Sequence, residues 1–333
     1  MTKADSCAIK SYVCGSSCQI VGFKWKRRNG KWQPFFLTAN GTDCEEPGRL
    51  GLWEGRIDIK LGKKSCAGYF SSGRHFKCPD YADVGLASTC TACKQRDDWF
   101  GCIQCSGETS QIAAAATPEV GSYDTNSLGD RNQMAGDGRA APVIMCKNPK
   151  QRDGCMRNNY WLYLAAFDGQ LKVGCSYERR FFERMIEQGA DFGCRFCIVQ
   201  DGGYARSLEQ KVARLLGLPD KISGDFKQAK LFGEPNKSIE SIGCALTKLA
   251  DSNLLKIRPE IFDFRRFYHL ENVHIRPRPV QLMPGMRLAG EAIAAKGNVV
   301  VMQTAAGTIS FDARRLVGYS IEMHPACFKS TAP

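Results

Sequence analysis

The sequence predicts an α+β protein in three parts: a β-rich N-terminal domain that holds the paired cysteines, a central β-β-α-β-α domain, and a small C-terminal β domain. Three observations predict it. Apolar and polar residues alternate around tight turns near the start, helical periodicity is confined to the middle, and alternation returns after about Phe262. The expected boundaries are 1–105, 145–258 and 259–333, with 106–144 as a flexible insert rich in Ser, Ala, Gly, Thr, Asn and Asp.

Taken in order, Val21, Phe23 and Trp25 alternate with Gly22, Lys24 and Lys26, and Asn29-Gly30 supplies the positive-φ pair of a hairpin turn before a return strand from Trp32 to Leu37. Arg56 to Leu61 alternates again and ends at Gly62. In the middle, Trp161–Leu164 and Leu171–Cys175 flank the hairpin signal Asp168-Gly169. A helix follows with Phe181, Phe182, Met185 and Ile186 on one face, closed near Gly189. Next come a strand from Phe196 to Val199, a helix from about Tyr204 to Leu216 with Ala205, Leu208, Val212 and Leu215 at helical spacing, and a further helix around Ser238 to Ala250. Val299–Met302 and Thr308–Phe311, joined at Ala306-Gly307, suggest a small terminal barrel or sheet.

At 333 residues and 43% apolar content the chain has the composition of folded globular material. No apolar run approaches the roughly 18 residues of a membrane span, and the start lacks a secretory core, so the expected location is the cytoplasm with no membrane partner. Seventeen cysteines, an odd count in a large chain without an export signal, point to metal rather than disulfides. The formal charge is +12. Two zinc ions each held by four thiolates would reduce it to about +8, still basic enough to favour a polyanion.

Cys90-x2-Cys93 and Cys102-x2-Cys105 lie eight residues apart, so two knuckles could offer four sulfurs to one tetrahedral zinc. Alternatively Cys66 and Cys78 join Cys90 and Cys93, leaving Cys102, Cys105, Cys146 and Cys155 for a second zinc. Either way the metal is structural, since an all-cysteine site has no open position for water. Cys194-x2-Cys197 starts an apolar strand, where cysteine serves as a small hydrophobe as readily as a ligand. His75 is a possible replacement ligand or a surface residue.

One ordered set of motifs carries a resemblance. Tyr163-Leu164-Ala165, Lys172-Val173-Gly174, Arg184 in a helix ending Glu187-Gln188-Gly189-Ala190, and Ala205-Arg206-Ser207-Leu208-Glu209 resemble an uncharacterised zinc-binding family, designated domain of unknown function 2797. The core of that family is in turn similar to GIY-YIG nucleases. The tail Leu288-Ala289-Gly290, Lys296-Gly297 and Leu316-Val317-Gly318-Tyr319 also fits, so the resemblance covers most of residues 60–323. It implies a catalytic set of Tyr163, Lys172, Gly174, Arg184 and Glu209. Tyr163 would help activate water, Arg184 would stabilise phosphate charge, and Glu209 would hold Mg2+ or Mn2+. The chain departs from the nuclease pattern at Lys172, where that pattern has tyrosine, and its first motif lacks the glycine. Arg184 lies further beyond Gly174 than usual, which leaves Arg180 as a competitor. Each of these residues also has an ordinary reading: Tyr163 as a core strand residue, Arg184 paired with Glu187 or Glu183, Glu209 at the edge of a buried helix face.

Lys24-Trp25-Lys26-Arg27-Arg28 and Lys31-Trp32 interleave cations with aromatics, a combination that contacts phosphates while stacking on bases. The same charges would also protect an exposed edge strand. Arg180 adds to the nucleic-acid set. The function expected is a nucleic-acid-binding protein, RNA rather than DNA, with a divalent-cation-dependent phosphodiesterase centre. The alternatives are a noncatalytic zinc-stapled RNA-binding or assembly protein, and an RNA-modification subunit using the sulfur of Cys175, Cys194 or Cys197.

Overall fold

The computed structural model describes residues 17–103, 105 and 146–324; the expected insert at 106–144 lies outside them. The first hairpin forms as the alternation requires. Strands β1 (Ser17–Arg28) and β2 (Lys31–Ala39) pair from Gln19 to Arg28 about a turn in which Asn29 and Gly30 both have positive φ. Short strands β3 (Cys44–Glu45) and β4 (Gly48–Gly51) precede β5 (Arg56–Lys64), and β6 (Tyr69–Ser71) and β7 (Arg74–Phe76) form a small hairpin with β3. Two short helices follow, α1 (Thr91–Arg96) and α2 (Phe100–Ile103).

Helix α3 (Pro149–Arg157) leads into the central unit, whose order is β8 (Asn159–Phe167), β9 (Gln170–Tyr177), α4 (Phe181–Gln188), β10 (Phe192–Gln200) and α5 (Gly202–Leu216). Asp168 and Gly169 make the β8–β9 turn with positive φ, and Gly189 and Gly217 close α4 and α5 in the left-handed conformation. Helices α6 (Gly224–Ala229) and α7 (Pro235–Asp251) come next, then β11 (Glu260–Asp263), β12 (Arg278–Pro279), β13 (Arg287–Lys296), β14 (Val299–Thr304), β15 (Gly307–Asp312) and β16 (Tyr319–Met323). No described helix is long and apolar enough to cross a membrane.

The two terminal parts are not separate domains. β16 pairs with both β1 and β5, and β13 pairs with β5, so residues expected in domains 1–105 and 259–333 share one nine-stranded sheet. Most buried side chains of both parts join one core with residues of the central unit, and Ala294, Val299 and Val301 form a smaller cluster with Leu231 on the other face of β13 and β14.

The central unit forms the second layer. Its four-stranded sheet runs β11-β10-β8-β9 and divides the core by strand alternation. Tyr163, Ala165 and Phe167 face the nine-stranded sheet with Phe181, Met185 and Ile186 of α4. Leu162, Leu164 and Ala166 face the other way, under Ala205 and Val212 of α5 and Ile242, Ala245 and Leu249 of α7. The layers are locked by a buried ion pair: Lys296 Nζ lies 2.6 Å from Asp191 Oδ1 with side chains 4% and 3% exposed. Lys296 also donates to the Leu231 carbonyl at 3.1 Å, and the second Asp191 oxygen accepts the Asp168 N–H at 2.9 Å.

Candidate functional site

The structure chooses between the two cysteine pairings. Cys66, which follows β5, Cys78, which follows β7, and Cys90 and Cys93 at the start of α1 gather with all four sulfurs within 4.8 Å of one another. Cys90 and Cys93 are therefore not grouped with Cys102 and Cys105. The x2 spacing works through backbone donors: the Cys93 N–H reaches the Cys90 sulfur at 3.4 Å, and the Cys90 N–H reaches the Cys66 sulfur at 3.2 Å. The Cys93 N–H lowers the Cys90 pKa, whereas burial raises those of Cys66 and Cys93. This cluster could hold a metal ion. His75 is neither a ligand nor a surface residue. It is 1% exposed, its Nε2 lies 2.6 Å from the Ala67 carbonyl oxygen, and burial lowers its pKa.

The second candidate set sits at the junction with the central unit. The Asn148 side chain donates to the Cys102 sulfur at 3.2 Å, the Cys146 thiol donates to the Asn148 carbonyl at 3.2 Å, and the Tyr160 hydroxyl donates to the Cys155 sulfur at 3.3 Å. Cys194 and Cys197 are core. A register shift in β10 between Arg195 and Cys197 lets both face the α5 side, where burial pushes their thiols up to about 12 and about 11. Enclosed in that core, they pack as small apolar side chains.

Lys172 and Gly174 lie on the edge strand β9, Tyr163 on its neighbour β8, Arg184 on α4 and Glu209 on α5, so the five are grouped around β9 but not on one face. Tyr163 pairs across with Gly174, and its ring lies over that residue: a Cβ on Gly174 would come within 2.5 Å of the hydroxyl, so only glycine admits the ring. The hydroxyl accepts from Gln188 Nε2 at 2.9 Å, and burial raises the phenol to about 12 while Arg184 opposes the rise. Arg184 pairs with Glu187 at 2.9 Å, as the simple helix-face reading expects; Arg180 pairs with Glu183 at 3.0 Å and reaches Glu187 at 3.5 Å. Gly174 and Cys175 are successive and point to opposite faces. Glu209 is 8% exposed and belongs to the Cys175 side, where its carboxylate accepts the Cys175 thiol at 3.1 Å and pairs with Arg206. The expected set therefore flanks the β9 edge, with Tyr163 and Arg184 on one side and Glu209 on the other.

Charge still joins the two sides. Burial lowers the Lys172 pKa, Glu209 holds it up, and Arg184 and Arg206 push it down again. Lys227 of α6, which sequence reasoning missed, donates to the Gln188 carbonyl at 2.8 Å and lies 4.5 Å from the centre of the Phe167 ring. Burial, then Arg314 and Lys172, bring its pKa down to about 7. Neither Lys172 nor Lys227 has an ion-pair partner among the described residues. Arg206 was visible in the motif as the residue three before Glu209; Lys227 sits in an unremarkable helix and carries no local signal.

At the hairpin, Lys24, Lys26, Arg27 and Arg28 are exposed, but Trp25 is not available for stacking. It is 3% exposed, donates its indole N–H to the Gly297 carbonyl at 2.7 Å and packs edge-on to Trp53. Alternation placed it on the inner face of β1, and the flanking cations on the outer. Trp32 is half-buried against the same core. Arg28 pairs with Glu54 at 3.1 Å, and Arg49 stacks over Phe35 beside a small cavity of about 50 Å3.

No curated protein and no solved structure matches the chain. A family model described as protein of unknown function (DUF2797) matches residues 86–321, from just before α1 into β16, and the chain belongs to that family.

Proposed function

We propose that this is a zinc-stapled, RNA-binding protein of the cytoplasm that grips backbone phosphate at the outer edge of β9. The observation that carries the reading is the cation set there: Lys172 and Lys227 have no ion-pair partners among the described residues, Lys172 stands near Arg184 and Arg206, and Lys227 near Lys172 and Arg314. Two half-buried ammonium groups held beside guanidinium charge are costly in the free protein, and a bound phosphate would relieve that cost. The exposed cations of β1 extend the same attraction over a second surface.

The donor set at Cys66, Cys78, Cys90 and Cys93 fits zinc, which four thiolates enclose tetrahedrally with sulfurs about 3.8 Å apart. Bound there, zinc would supply folding energy to a loop-rich region and leave no position for substrate. Fluorescence anisotropy with structured RNA and with duplex DNA tests the reading. Lys172→Ala/Lys227→Ala should weaken RNA binding about tenfold or more, and unchanged affinity would contradict it.

One observation favours a second reading, a phosphodiesterase at the same edge. What supports it is the element order β-β-α-β-α together with Lys172 and Glu209, which lie at β9 near Arg184 and Arg206. Glu209 would hold Mg2+ or Mn2+, which would neutralise charge developing on the phosphate. In that case Glu209→Gln should abolish metal-dependent RNA cleavage while sparing binding. Wild type that binds RNA and cleaves nothing with either metal leaves the binding reading alone.

A further inference from the structure

Four thiols outside the first cluster come from segments that converge beside the N-terminal end of α5, more loosely than in the first cluster, whose sulfurs are the only set within 4.8 Å of one another among the described residues. Cys105 follows Cys102 in a tight turn closed by the Cys105 N–H and the Cys102 carbonyl at 3.2 Å. Asn148 touches two of the four, donating from its amide to the Cys102 sulfur and accepting the Cys146 thiol at its carbonyl, each at 3.2 Å. Cys155 rests directly on the α5 backbone: a Cβ on Gly202 would come within 2.3 Å of its sulfur, so the close approach depends on glycine there.

Asn148 thus ties Cys102 to Cys146, and α5 is the element on which both Cys105, through Arg206, and Cys155, through Gly202, rest. Bare thiolates would repel one another here. A divalent cation reverses that sign, turning mutual repulsion into ligation.

The set also touches the β9 edge through one side chain. Arg206, one turn after Gly202, donates from Nε to the Cys105 carbonyl at 3.2 Å and pairs through its terminal nitrogen with Glu209. The Cys105 carbonyl therefore helps to fix the Arg206 guanidinium that pairs with Glu209.

We propose that Cys102, Cys105, Cys146 and Cys155 form a second four-sulfur site for a zinc-like divalent metal, and that the loaded site positions Arg206, and through it Glu209, at the β9 edge. The positioning half rests on the reading of that edge as the phosphate site; the metal half does not. Arg206 acts here as a positioning and phosphate-facing residue, and the cysteines touch only the metal.

Elemental analysis of the anaerobically purified full chain should find about two equivalents of zinc. Cys155→Ser should leave about one, Cys78→Ser should also leave about one by emptying the other cluster, and Cys155→His, which keeps a ligand nitrogen, should keep both. RNA affinity should fall in Cys155→Ser to the level of Arg206→Ala, the double variant should be no weaker than either, and Cys155→His should restore binding. One equivalent in the wild type, or two retained in Cys105→Ser/Cys155→Ser, overturns the metal site. Full RNA affinity in a Cys155→Ser protein that has lost its second metal overturns the positioning. If wild type binds no RNA, the function reading fails, and the zinc count still decides the site. Should Cys155→Ser not fold, cobalt substitution of the wild type decides instead: the thiolate-to-cobalt absorption per chain must be about twice that of a single four-sulfur site.

Discussion

Replacing Asp191 with alanine should be among the most destabilising single changes in this chain, because it strands a buried ammonium. Lys296 Nζ sits 2.6 Å from the Asp191 carboxylate, and both side chains are almost wholly enclosed between the two sheets. With the carboxylate gone, Lys296 keeps only the carbonyls of Leu231, at 3.1 Å, and Lys230, at 3.4 Å, which do not neutralise it. Breaking one partner of a buried pair costs about 3–5 kcal/mol. The Asp168 N–H also loses its acceptor, which adds about 1 kcal/mol or more. Asp191→Ala should therefore lose roughly 4–6 kcal/mol in urea unfolding monitored by tryptophan fluorescence. Lys296→Met in the same background should recover a large part of that, since it removes the uncompensated charge rather than adding a contact. The wild-type pair should be insensitive to salt, as screening does not reach it. A loss below about 1 kcal/mol, or a double variant no more stable than Asp191→Ala, would refute the argument that this charge pair locks the layers.

Three further outcomes follow from the same geometry. Cys78→Ser should lose about one equivalent of zinc and lower the Tm of the full chain, which elemental analysis and calorimetry measure together. Lys227 has a folded pKa near 7, below its ordinary value of 10.5, under the influence of Arg314, Lys172, Asp312 and Lys296. Between those values the unfolded chain binds the extra proton, so this group makes stability rise with pH from about 7 upward. Below pH 7 the lysine is charged in both states and its burial cost is fully present. RNA affinity should move the opposite way, falling as pH rises through about 7, and Lys227→Met should flatten that profile in anisotropy titrations. Neutralising Lys24, Lys26, Arg27 and Arg28 together should weaken RNA binding, whereas Trp25→Phe should act on stability and leave affinity in the folded protein nearly unchanged, by the same assay.

Local geometry was legible in the chain because each device is written in adjacent residues. Asn29-Gly30 and Asp168-Gly169 marked their turns, Gly189 and Gly217 marked helix ends, and Phe181, Met185 and Ile186 form the buried face of α4, although Phe182, expected on it too, is exposed. What escaped was decided at long range. Nothing near β16 says that it pairs with β1, some three hundred residues earlier in the chain, so the two terminal parts read as separate domains. The x2 spacing of Cys90 and Cys93 is equally compatible with either partner pair, and only the fold brings Cys66 and Cys78 to them. Trp25 shows the same limit within one strand: alternation fixed that it faces away from Lys24 and Lys26, but not that its side is the inner one. Glu209 was singled out by motif, yet its placement across β9 from Tyr163 depends on α5 and α4 covering opposite faces of the sheet. Lys227 carries no local signal, and the motif Lys296-Gly297 gave no sign that Lys296 is buried against Asp191.

The claim that the β9 edge takes backbone phosphate is tested most directly by the salt dependence of RNA affinity at pH 6, where Lys227 carries its proton. Each phosphate contact contributes roughly 0.7–0.9 to the slope of log affinity against log salt. Lys172→Ala/Lys227→Ala should therefore flatten the wild-type slope by about 1.5, with circular dichroism unchanged. A variant that binds RNA with the wild-type slope and affinity would contradict the account.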